Sequence, residues 1–320
     1  MLEAEKQILN RAIDIADDLF NTEIRKKVLT PVTSSFRQPG GTKQSVGTIA
    51  ATLGYSRQYV YKQPKDAAKQ LAKQAAVKQL VDNQKKLLPR VGTRKIYYLI
   101  KEDLKQQNLK FGRDKLFALM QYYGLQIKPR RRYVQTTMSK HWLRKWPNII
   151  KGKTVKQPDE VWVSDITYLK TQQGNCYLNM ITDMYSRKIV GYAVDDTMET
   201  ESMIKALHMA TGQRRNKNIP TIHHSDRGLQ YCSKEYESLS NNNNIRLSMT
   251  ENGDPYENAL AERMNRTIKE EFGMDRILKT KEQVKKLVQE SIFLYNQKRP
   301  HLALKMKTPQ QVHQTKIPAP

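Results

Sequence analysis

A chain of 320 residues that is 38% hydrophobic carries enough apolar side chains for two or three modest cores. Its 56 Lys and Arg against 31 Asp and Glu leave a net charge of +25, the footprint of a polyanion binder. No stretch approaches the roughly 20 apolar residues of a membrane span, and no charged-then-apolar leader opens the chain.

Residues 2–27 form an amphipathic helical pattern, with Leu9, Ala12, Ile13, Ala16, Leu19 and Phe20 on one stripe that serves either dimerisation or packing on the chain's own body. A polar linker with Pro39, Gly40 and Gly41 follows. Ser45 then caps a helix to Leu53, Gly54 turns the chain, and Ser56 caps a second short helix carrying Arg57. That is helix-turn-helix geometry, shared by DNA readers and by ordinary helical hairpins. A Lys- and Gln-rich helix is expected over 64–88, and a helical pair over Thr93–Tyr123, broken at Asn108–Gly112 just before Arg113 and stopped by Gly124. Arg130, Arg131 and Arg132 cannot all face one way on a regular element. They read as a groove-following arm, with a nuclear-localisation signal as the competing role. The charge excess is concentrated here: residues 31–157 hold 28 basic and 5 acidic side chains, residues 158–320 hold 23 and 20, and residues 1–30 hold 5 and 6.

Beyond the lysine-rich link at 147–158, strands are expected at Val161–Leu169, Cys176–Met184 and Lys188–Val194, joined by turns at Gln172–Asn175 and Tyr185–Arg187. Asp183, Asp195 and Asp196 lie near strand ends, where turn or capping duty is expected. A helix over 199–213, a strand at Thr221–Ser225, a helix at Lys234–Ser240 and a strand at Ile245–Ser248 complete an α/β unit. Gly253, Pro255 and a capping Asp254 lead into a further helix, and Val284–Gln297 forms a last one ahead of a basic, proline-punctuated tail. Cys176 and Cys232 are outside any CxxC spacing, indicate neither zinc nor a disulfide, and are read as buried thiols.

Three carboxylates fall on rigid elements: Asp165 mid-strand, Asp226 at the end of a strand, and Glu262 on a helix with 35 residues between the last two. Converged, they would hold Mg²⁺ through oxygen while leaving room for a substrate phosphate. At about 100° per residue, Asn258, Asn265, Arg266 and Lys269 fall within about 60° of Glu262, and Leu260, Ala261, Met264, Ile268 and Phe272 lie opposite. Any surface helix shows such a split, but this polar face combines an acid with amides and cations.

The motifs WVSDIT (Trp162–Thr167), HSDRGLQY (His224–Tyr231), NGDPYENALAER (Asn252–Arg263), Lys269, and YNQKRPHLAL with Thr308 and Pro309 resemble a DDE transposase of the bacterial insertion-sequence-three family. Its catalytic domain is similar to retroviral integrase and ribonuclease H. The resemblance implies an α/β ribonuclease-H-like core, a mixed five-stranded sheet with helices on both faces, preceded by all-α helix-turn-helix DNA-binding segments. It implies a dimerisation tail at 1–30 like the end of a leucine zipper, a basic DNA-binding region at 31–157, the core at 158–275, and a helix with a basic tail at 276–320. It also implies binding of terminal inverted repeats in double-stranded DNA, then strand cleavage and strand transfer to target DNA. Two Mg²⁺ per site, with Mn²⁺ as a substitute, would be held by Asp165, Asp226 and Glu262. Lys269 would steady the terminal DNA; His224, Asn258 and Arg266 would line its approach. A homodimer or higher homo-oligomer in the bacterial cytoplasm, at the nucleoid and away from membranes, is expected. A silent regulator derived from such an enzyme, and a nuclease that does not join, are the rival readings.

Overall fold

The computed structural model describes residues 56–127, 146–215, 217–251 and 255–315. The expected helix over 2–27, the linker, the helix ending at Leu53, Asp254 and the Arg130–Arg132 arm lie outside these residues. The chain divides into two compact units, Met1–Gln79 and Leu80–Pro320.

Helix α1 spans Arg57–Leu87. The short helix expected after Ser56 and the separate one expected from residue 64 are thus a single helix, with Pro64 in its interior. Proline deletes one backbone donor there, and the strong helix formers of AAKQLAKQAAVKQL carry the helix onward regardless. In the second unit, α2 (Thr93–Gln106) and α3 (Arg113–Tyr122) form the expected pair and bury Ile96, Ile100, Leu104, Leu116, Leu119 and Met120. Gly124, at φ 63°, closes α3 in the left-handed conformation that only glycine adopts without strain.

The sheet consists of β1 (Val161–Thr171), β2 (Gly174–Asp183), β3 (Ile189–Asp195), β4 (Thr221–Ser225) and β5 (Ile245–Met249) in the order β3-β2-β1-β4-β5. The first three strands form an antiparallel meander, while β4 and β5 run parallel to β1. Two-residue alternation sorts the side chains of β1 between the faces. Trp162 joins one core with residues of α4 (Thr200–Gln213) and α5 (Lys234–Asn242), whereas Val161 and Val163 pack on Ala261 of α6 (Ala259–Glu271) on the other face. Close approach of α4 to β3 demands Gly191, since a Cβ there would sit 2.1 Å from the Ala206 carbonyl oxygen.

Helix α7 (Lys281–Lys298) begins three residues earlier than its apolar pattern suggested, because the Thr280 side chain accepts from the Gln283 amide. The tail contains a helix the sequence analysis did not anticipate, α8 (Pro309–Gln314), started by a Thr308/Gln311 capping box with proline at its first turn and packed against α7. Cys176 is buried as expected, but Cys232 is only half-buried. No helix among the described residues is long and apolar enough to cross a membrane.

Candidate active site

Asp165 shares its face of β1 with Val161 and Val163 and therefore points to the α6 side of the sheet. Parallel pairing sets Val163 opposite His224, so two residues further along each strand Asp165 comes level with Asp226. Asp226 lies just beyond the carboxyl end of β4, where the chain turns into a 3-10 segment, Leu229–Cys232. The Gly228 amide donates to Asp226 Oδ1 at 3.2 Å, and a Cβ at Gly228 would stand 3.2 Å from that same oxygen.

The third carboxylate arrives on α6, which is stitched to β1 along its length. Asn258, at the N-cap position, donates through its amide to the Ser164 carbonyl at 2.9 Å. Asn265 donates to Asp165 Oδ2 at 2.8 Å. The Lys269 ammonium donates to Thr167 Oγ1 at 3.1 Å and the Tyr168 carbonyl at 3.0 Å, and lies 4.8 Å from the centroid of the Tyr168 ring. Beneath these polar ties Ala261, Met264 and Ile268 are buried, as the helical arithmetic requires. Glu262 stays exposed on the outward side of the same helix.

The three acids sense one another. Burial first, and then the charge of Asp226, raise the Asp165 carboxyl to about 7, against hydrogen bonds from Asn265 and the Ile166 amide and with a further push from Glu262. Glu262 is also raised, by partial desolvation and by Asp226, with Arg266 opposing. Burial lowers the Lys269 ammonium pKa, and the charge of Asp165 partly restores it. Mutual repulsion among acids on a strand, a strand end and a helix is what a divalent cation relieves, and the donors are hard oxygens of the kind Mg²⁺ takes. Among the described residues, however, the ligand atoms that gather in a threesome within 4.8 Å are those of Asp159, Asp183 and His313, not those of Asp165, Asp226 and Glu262.

Two residues expected to line the DNA approach are buried in this structure. His224 is fully buried, its Nδ1 is 2.9 Å from Ser248 Oγ, and burial depresses its imidazole to about 4. Asn258 is 4% exposed and engaged with β1. Both placements have one physical cause: these polar side chains pair with a backbone carbonyl of β1 and a hydroxyl of β5, where solvent does not reach. Arg266 and Arg113 are exposed, the latter 3.2 Å from Asp114. Arg57 lies at the start of α1, and Arg130, Arg131 and Arg132 fall outside the described residues. Asn265, three residues from Glu262 on the same helix face, is the residue that reaches across to the strand carboxylate.

An integrase core domain family matches residues 155–255, and a second integrase core domain family matches residues 243–309. Over 215 residues the chain is 34% identical to the insertion element IS600 uncharacterized 31 kDa protein of Shigella sonnei, covering 67% of this chain and 77% of that protein. It is 33% identical over 174 residues to the transposase for insertion sequence element IS629 of Shigella sonnei, covering 54% of this chain and 57% of the relative. Transposase InsF for insertion sequence IS3A of Escherichia coli strain K12 is 32% identical over 172 residues, with 53% and 59% covered. A solved HTLV-2 integrase catalytic core domain in complex with magnesium, in its dimeric form, is 18% identical with a TM-score of 0.39, covering 50% of this chain and 99% of that one.

Proposed function

We infer that this chain, which belongs to the insertion-sequence-three family of DDE-type transposases, cuts one strand at the end of its element and joins the freed 3′ hydroxyl to another phosphodiester. The observation that supports the reading best is the repulsive grouping of Asp165 in the middle of β1, Asp226 just past the carboxyl end of the parallel β4, and Glu262 on the helix tied across them.

We assign Asp165 as the shared ligand of two Mg²⁺, with Mn²⁺ as a substitute, and Asp226 and Glu262 as the ligand of one each. Bound there, the two ions would activate the attacking oxygen and stabilise the leaving oxygen of an in-line displacement at phosphorus. Asn265 fixes Oδ2 of Asp165 and so sets the direction in which its second oxygen is presented. Gly228 does the same for Asp226 through its amide. Lys269 and Asn258 hold α6 on β1 and thereby hold Glu262 at its distance from the strands. Arg266 lies exposed beside Glu262, where it can meet a phosphate. Water and the 3′ hydroxyl act as nucleophiles in turn, so no protein nucleophile is required.

The DNA would be the element's terminal inverted repeats and a target duplex, gripped through the basic region 31–157 by a homodimer or larger assembly in the bacterial cytoplasm. The test is a strand-transfer assay on the full chain with Mg²⁺ and a pre-cut duplex end bearing the inverted repeat that flanks the gene. Joined products in the wild type and none with Glu262→Gln are expected. No joined product from the wild type on the pre-cut end, with cutting of an uncut end retained, would leave a nuclease.

A further inference from the structure

Tyr295 of α7 is fully buried, and cations crowd its ring. Its hydroxyl lies 3.0 Å from the Arg187 carbonyl and 3.3 Å from Met264 Sδ, which brings the β2–β3 turn against α6 at the residue following Arg263. The Arg299 guanidinium sits 5.5 Å from the ring centroid, and His301 meets the ring edge-on at 5.1 Å. Arg299 is committed to the protein: it donates to both oxygens of Glu271 at 2.6 and 2.5 Å, and to His301 Nε2 at 2.7 Å. A guanidinium only donates, so that nitrogen accepts and the imidazole is neutral with its proton on Nδ1. Burial and the charges of Arg299, Lys95, Arg187 and Arg263 together push His301 down to about 2.

Four cations therefore act on one ring. Glu271, 3.9 Å from Lys95 and already bound by Arg299, is the carboxylate that answers them. Asp183 also acts on Arg187, but its oxygens already accept from the Asp159 amide and from the Ser186 amide and hydroxyl. Among the described residues, neither Arg187 nor Arg263 has an ion pair or a side-chain hydrogen bond, although Arg187 is half-buried and Arg263 stands near enough to disfavour its charge. Lys95 is pushed down to about 8 by burial and by Arg299. Half-burying the Arg187 guanidinium costs solvation that Asp183 answers only in part, and Arg263 adds repulsion; an anion bound between the two arginines would offset both. The exposed Arg263 opens the group to solvent. It directly follows Glu262 on α6, about 100° further around the helix, so an anion held there would lie beside the triad and not on it.

We propose that Lys95, Arg187 and Arg263 form a second phosphate-binding site, which takes a backbone phosphodiester of the DNA bound alongside the three carboxylates. The choice of DNA rests on the transposase reading; the anion chemistry rests on the cluster alone. The phosphodiester comes either from the element's own end or from the target duplex, and the two arms of the experiment separate these sources.

The full chain, without divalent metal, is titrated over a range of salt with a pre-cut element-end duplex and, separately, with a duplex of unrelated sequence. Arg187→Gln and Arg263→Gln should each lower the slope of log affinity against log salt by about one, on whichever duplex occupies the site, and the double variant by about two. Melting temperature without DNA should hold or rise in all three variants, because the desolvation of the half-buried Arg187 and its repulsion with Arg263 are relieved. Arg299→Gln serves as the contrast: it strips Glu271 of its partner and should lower the melting temperature. Unchanged slopes on both duplexes, or a fall in melting temperature for Arg187→Gln and Arg263→Gln, overturn the proposal. Cleavage that survives Glu262→Gln would sink the catalytic assignment while leaving this slope test standing.

Discussion

Two groups of acids flank the same strand, and they are built in opposite ways. Asp159, just ahead of β1, and Asp183, at the end of β2, are buried with their oxygens filled by donors: Asp159 accepts from the Trp162 indole and the Arg215 amide, Asp183 from the Asp159 amide and from Ser186. His313 of α8 lies against them, with Nδ1 3.0 Å from Ser186 Oγ, and the Arg215 guanidinium donates to its carbonyl at 2.7 Å. In the other group, Asp165 accepts from one amide side chain and one backbone amide, and then faces Asp226 and Glu262. The tighter cluster is thus the finished one, a clasp that holds the carboxyl-terminal helix to the sheet. The looser one is short of positive charge. Proximity of ligand atoms and unmet electrostatic demand point to different groups, and the proposed site follows the second.

The largest expected effect separates the groups by activity. Glu262→Gln should lower Mg²⁺-dependent strand cutting by about 10³-fold or more, on the order of 4 kcal/mol of barrier, with the urea midpoint nearly unchanged. Asp183→Asn should do the reverse. Placing an amide NH₂ among donors in a site that solvent does not reach should cost about 3 kcal/mol or more in urea unfolding, and added Mg²⁺ should not restore it. If Asp183→Asn is rescued by metal, the clasp is a metal site after all and the comparison fails.

A smaller effect tests the stitches between α6 and β1. Lys269→Met removes two hydrogen bonds and the contact over Tyr168 while keeping an apolar stem, and should cost about 1 to 2 kcal/mol. An unchanged melting temperature with weakened DNA binding would return Lys269 to the role expected from its motif.

The smallest effect is a pH dependence. A carboxyl raised to about 7 in the folded state binds its proton more tightly than in the unfolded chain. Stability from Asp165 is therefore present at low pH and lost as pH rises from about 4 through about 7. Relative to Asp165→Asn, the wild type without metal should lose stability across that window. Saturating Mg²⁺ should recover it more at pH 7.5 than at pH 5, where protons compete for the oxygens. His223 has the opposite sign. Burial lowers its imidazole to about 3, so its contribution is present above about 6.5 and falls with acidification. His223→Gln should flatten that acid limb.

Much of this was legible from local pattern. Thr221–Ser225 emerged with the bounds its apolar run suggested, and the β1, β2 and β3 segments emerged within a few residues of theirs, because two-residue alternation and turn residues are local signals. Helix α8 is also encoded locally: Thr308, Pro309 and Gln311 spell a capping box with proline in the first turn, within a segment otherwise punctuated by proline.

What the amino-acid order determined by itself was which side chains share a face: Asp165 with Val161 and Val163 on one side of a strand, Glu262 with Asn258, Asn265, Arg266 and Lys269 on one side of a helix. Such faces follow from backbone periodicity, which depends on near neighbours alone. What each face meets was decided by the tertiary structure. Register between β1 and β4 brought Asp165 level with Asp226, and contact between α6 and β1 turned Asn258, Asn265 and Lys269 into fasteners. His224 was carried under cover, while His313 was brought to Asp183 across some 130 residues of chain. These outcomes depend on which distant donors and acceptors are left to satisfy when the layers close, and no spacing along the chain encodes that.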